Sequence, residues 1–146
     1  MVKDYVQEAL HLFENGFNCS QAVLCAFCED FNLPKETALR ITCPFGGGIG
    51  GCGKTCGALT GAIMVIGLKY GSFQAADVEA KKIASDKTKM LIETFEGAHG
   101  SCNCNDLIGF NRSSLSDKEL MGKKQFFLNT CPKFIETVVA FLEEEI

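Results

Sequence analysis

Apolar positions along this chain recur at helical spacing in nearly every segment. Over residues 3–15, Val6, Ala9, Leu10 and Phe13 fall on one side of a helix, and Gly16 follows as a stop. A second helix is predicted from about Asn18 to Phe31, carrying Ala22, Val23, Ala26 and Phe27, with Asn18 or Ser20 as its cap. Pro34 opens a third, short helix with Ala38 and Ile41, since proline suits a first helical position. Residues 55–71 are almost uncharged on all sides, which predicts a central buried helix between Thr55 as N-cap and Gly71 as stop. Gly57 and Gly61 lie four apart on one face of it, where another backbone can come close. Residues 74–96 predict a long charged helix with a stripe of Ala76, Ala80, Ile83, Ala84, Leu91 and Phe95. Ser116 with Glu119 reads as a capping box. A last helix runs from Lys124 or Cys131 to Glu145, with Phe134, Ile135, Val138, Val139 and Leu142 as its buried face.

No segment alternates with a period of two, and no repeat or linker interrupts the chain. The expected fold is all-α: one domain over residues 1–146, a bundle of five or six helices. One stretch departs from helical texture. In residues 44–53, PFGGGIGGCG, six of ten positions are glycine, so the backbone there must adopt positive φ or approach something closely. This glycine-rich loop leads straight into the central helix.

Composition narrows the function. Fourteen Lys and Arg against eighteen Asp and Glu give a net charge of −4, which argues against a nucleic-acid partner. The longest apolar run, from Ala58 to Leu68, is too short to span a bilayer, and the opening residues show no export signal. A reducing cytoplasm is therefore the expected compartment. Nine cysteines in such a compartment suggest metal binding or catalysis more than a disulfide framework.

Cys56 stands where the central helix begins. A helix N-terminus offers unpaired N–H groups and partial positive charge, so its thiol is expected to ionise more readily; the alternative is a small buried hydrophobe. Gly48 to Thr55 match the letters of a phosphate-binding G-x-x-x-x-G-K-T loop, but the buried strand that motif needs before it is missing, and a tight close-packed loop is expected instead. Cys25 and Cys28 form a CxxC inside a helix rather than at its start, and read as partly buried core thiols. Cys102 and Cys104 lie in a loop where neighbouring thiols can chelate. His11 and His99 have no partner at ligand spacing.

Four stretches in fixed order, GFNCSQAVL, FGGGIGGCGKTCGALTGAIMVIGL, CNDLIGFN and TCPKFIETVV, resemble the bacterial and archaeal C_GCAxxG_C_C family, from Gly16 to about Val139. That family is held to be redox-active on the strength of its cysteines, and its substrate is not established. The resemblance carries its cysteines onto Cys19, Cys56, Cys104 and Cys131, with Cys102 competing for the third place. At the second the fit runs through the CGAxxG core, because Thr55 precedes Cys56. Cys25, Cys28, Cys43, Cys52 and Cys102 are extra, with open roles. The arrangement is also similar to the iron–sulfur part of split-Soret cytochromes, though no CxxCH for haem is present.

Three readings follow. In the first, a thiol–disulfide oxidoreductase or electron-transfer protein, Cys56 attacks and Cys19, Cys104 or Cys131 resolves. In the second, the same four thiols hold zinc or an iron–sulfur cluster, with Gly47, Gly48 and Gly57 as cofactor-binding positions whose loop lets backbone N–H groups reach sulfur. In the third, which the cysteine count disfavours, a structural helical module merely fills its core with thiols. The partner is a redox protein or a small thiol, and a homodimer is allowed without being required.

Overall fold

The computed structural model describes residues 2–146. Helix α1 spans Tyr5–Glu14, capped by the Asp4 carboxylate on the Gln7 amide. Helix α2, Cys19–Phe27, begins with a reciprocal capping box between Asn18 and Gln21 and passes into a 3₁₀ turn, Cys28–Phe31. Helix α3, Lys35–Thr42, follows with Pro34 at the cap position rather than inside the first turn. After a second 3₁₀ turn and the glycine loop come α4, Gly57–Tyr70, and α5, Val78–His99. Three short helices cluster next: α6, Cys104–Ile108; α7, Asp117–Met121; and α8, Lys124–Thr130. Helix α9, Pro132–Glu145, closes the chain.

The class is all-α, and among the described residues β pairing is confined to one isolated bridge, Thr55 with Asn103. The expectation of five or six helices falls short of the helices found: α7 stands where the Ser116–Glu119 capping box places it, and α6 is a five-residue turn too short to show an apolar period. No helix among the described residues is long and apolar enough to cross a membrane.

Helices α2, α4 and α9 form the centre of one apolar core, in which Leu24, Leu59, Ile135 and Leu142 are fully buried. The close approach of α2 and α4 depends on glycine. A Cβ at Gly61 would stand 2.7 Å from the Ser20 carbonyl oxygen, and one at Gly57 would stand 3.1 Å from the Cys19 Cβ. Ser20 and Thr60 share a hydrogen bond of 3.1 Å across the same contact. Phe134, Ile135, Val138, Val139 and Leu142 of α9 are buried, as their spacing predicts, and Phe141 joins them.

One expectation needs correction. Helix α5 starts at Val78, not 74, and of its stripe only Leu91 and Phe95 are buried. Its first half lies at the margin of the core, where Ile83 is 40% exposed. Of the two starts foreseen for the last helix, Cys131 is the one found: it caps α9, because Pro132 has no N–H with which to continue α8.

Candidate functional site

The glycine loop is a left-handed turn. Gly47, Gly48, Ile49, Gly50 and Gly51 all have φ between 62° and 73°, in sequence. Such a run is costly for residues with a Cβ, which explains the glycines and marks Ile49 as strained. Amides from Ile49 to Lys54 bond back onto carbonyls between Pro44 and Ile49. These donors are thus occupied within the loop, which excludes the phosphate-cradle reading of the Gly48–Thr55 match. The cap of α4 is Cys56, not Thr55. Thr55 is drawn instead into a short antiparallel pairing, with Cys104 N–H to Lys54 O at 2.6 Å and Cys56 N–H to Cys102 O at 2.8 Å.

That pairing sets Cys56 beside Cys104. The Gly57 contact sets it beside Cys19, and the α8–α9 break supplies Cys131. All four line one small cavity of about 30 Å³, together with Gly47, Gly48 and Gly57. A Cβ at Gly48 would stand 2.7 Å from the Cys104 Cβ, so the loop can lie against that cysteine only without a side chain. Cys102 stays outside the cavity lining; its thiol donates to Glu96 at 3.4 Å. Cys25 and Cys28 are buried in the core away from the cavity, and Cys43 and Cys52 are exposed.

Each of the four cysteines stands at the start of a helix. Cys19 and Cys104 are the first residues of α2 and α6, and Cys56 and Cys131 are the caps of α4 and α9. Positive helix ends therefore converge on the sulfurs. Arg112, which also lines the cavity, brings a full positive charge beside Cys104 and favours its thiolate. Asn105 holds the Arg112 backbone through its amide at 3.0 Å. The residue patterns gave no sign of Arg112: it is a lone cation in a loop between short helices.

The thiols respond unequally. Burial pushes the Cys56 thiol up to about 12, although the Ala58 and Leu59 amides of its helix pull the other way. The expectation of an easily ionised Cys56 is thereby corrected: the helix end acts as foreseen, but water is too thoroughly excluded. Cys131 moves in the opposite direction. Its thiol is lowered chiefly by a hydrogen bond from the Cys19 thiol, against the effect of burial, with Arg112 and Lys133 adding to the lowering. Cys19, the donor of that bond, is raised well above the ordinary thiol value. Cys104 is raised by burial in spite of Arg112.

Four thiols are suitable donors for zinc or an iron–sulfur cluster. The space they line is small, about 30 Å³. Among the described residues no group of three or more His, Cys, Asp or Glu side chains is placed to hold a metal ion.

No curated protein and no solved structure matches the chain. A family model does: that described as "Putative redox-active protein (C_GCAxxG_C_C)" matches residues 17–145 and so takes in all four cavity cysteines. The chain belongs to the C_GCAxxG_C_C family.

Proposed function

We propose that the protein is a thiol–disulfide exchange protein in which Cys131 attacks and Cys19 resolves. What supports this reading is that Cys19 and Cys131 line one small cavity, where their interaction raises the Cys19 thiol and lowers the Cys131 thiol. It replaces Cys56 as the attacking group. Cys56 and Cys104 complete the wall, and Gly47, Gly48 and Gly57 let the backbone close around it.

The chemistry balances as follows. The Cys131 thiolate attacks one sulfur of a substrate disulfide, whose S–S bond breaks; the first half leaves and takes the Cys19 proton. The Cys19 thiolate then attacks the Cys131 sulfur and displaces the second half, which is protonated from water. Two electrons pass from the cysteine pair to the substrate, and a Cys19–Cys131 disulfide is left. An external thiol or dithiol reverses the sequence. A reducing compartment such as the cytoplasm supplies one.

The Cys19→Ser variant, incubated without oxygen with glutathione disulfide, is expected to accumulate a mixed disulfide on Cys131. The unaltered protein should release two glutathione thiols and form its internal bond. Modification confined to the exposed Cys43 and Cys52 would contradict the proposal. So would a coloured protein that contains iron and sulfide after anaerobic purification, which would select the cluster reading.

A further inference from the structure

Beside the cysteine cavity lies an open groove of about 390 Å³, a volume suited to a small organic molecule. Phe13, Phe17, Leu120 and Phe127 give it apolar walls. Three charged side chains also face it: Arg112, Lys124 and, against them, Glu14. Neither cation has a carboxylate within ion-pair distance among the described residues. The Arg112 guanidinium lies over the Phe127 ring at 5.0 Å, and its buried Nε has no hydrogen-bond partner. In a protein of net charge −4, two uncompensated cations on one apolar groove call for an anionic occupant.

Arg112 is also the one charged residue common to this groove and the cysteine cavity. We infer that the groove binds a small amphiphilic carboxylate, its apolar chain against the phenylalanines and its head group on Arg112 and Lys124, and that occupancy is sensed by the thiols through Arg112. A carboxylate on the guanidinium competes with the Cys104 and Cys131 sulfurs for the same positive charge. Bound anion therefore disfavours the thiolate, and thiolate disfavours the anion, by the same factor. The sensing part rests on the exchange reading of Cys131; the binding part does not.

The test uses octanoate, with octylammonium as its opposite in charge and match in chain. Calorimetry on the full chain should show octanoate saturating at least tenfold more tightly than octylammonium. Arg112→Gln should weaken it about tenfold to a hundredfold, the effect of losing a charge-assisted bond. Met121→Glu, at a groove residue that is 79% exposed and free to change without unfolding the chain, should weaken it as well. Saturating octanoate should slow alkylation of Cys131 at neutral pH. Equal binding of the two amphiphiles, or no saturation by octanoate, overturns the site; binding without any change in alkylation overturns the coupling. A Cys19→Ser, Cys131→Ser double variant should still bind octanoate, so failed exchange and a failed groove give different results.

Discussion

At the scale of single residues, the proposed exchange chemistry turns on Cys131 and Arg112. Arg112→Gln removes a charge that favours both the Cys104 and the Cys131 thiolates. The pH profile of Cys131 alkylation is expected to move to higher pH in that variant, and an unmoved profile would show that the guanidinium does not act on the sulfur. Burial has its own signature. Cys56 and Cys25 are each pushed from the ordinary 9.0 to about 12, mainly by desolvation. In the unfolded chain these thiols release their protons first, so folding stability falls as pH rises from about 9 toward about 12. The slope is about 1.4 kcal/mol per pH unit for each thiol. Urea melts at pH 8 and pH 10 measure it, and Cys25→Ala should flatten the dependence even though it lowers stability at both pH values. The place of Cys56 was legible in the residue pattern, because it follows a glycine loop where a helix begins; Cys19, Cys104 and Cys131 came only from the resemblance to the family. Arg112 came from neither, since nothing local announces which loop cation will meet a sulfur. The rise of Cys56 was hidden for a related reason: its helix end is written in the sequence, but its burial depends on α2 and α9.

Glycine decides how the elements meet. Gly61→Ala places a Cβ 2.7 Å from the Ser20 carbonyl oxygen on α2, a backbone atom that cannot rotate away. Gly97 of α5 has nothing within 4 Å, and its backbone is helical. The same substitution should therefore act with opposite sign at the two sites. Gly61→Ala is expected to destabilise by about 1–3 kcal/mol, and Gly97→Ala to stabilise by about 0.5–1 kcal/mol. Denaturant midpoints of the two variants check this, and equal shifts would mean that α2 and α4 are not in close contact. Helix positions followed from the sequence where a local device writes them, as with Asn18–Gln21, Ser116–Glu119 and the apolar face of α9. They did not where packing decides. The stripe of α5 is equally apolar at Ile83 and Leu91, yet only Leu91 reaches the core. The left-handed closure of Gly47–Gly51 needs the loop's own hydrogen bonds, of which the glycines indicate only the permission.

For the molecule as a whole, the bundle works as a frame that turns the starts of α2, α4, α6 and α9 toward one small cavity, and the family's cysteines are the residues found there. The all-α class was foreseen. The unequal response of the thiols was not, because it arises from burial, neighbouring thiols and Arg112 together. The most direct test is a disulfide map after oxidation without oxygen by one equivalent of a small disulfide. Alkylation, digestion and mass spectrometry should then find Cys19 joined to Cys131, with Cys25 and Cys28 still reduced. A Cys131 recovered as free thiol, with oxidation confined to other cysteines, would contradict the account.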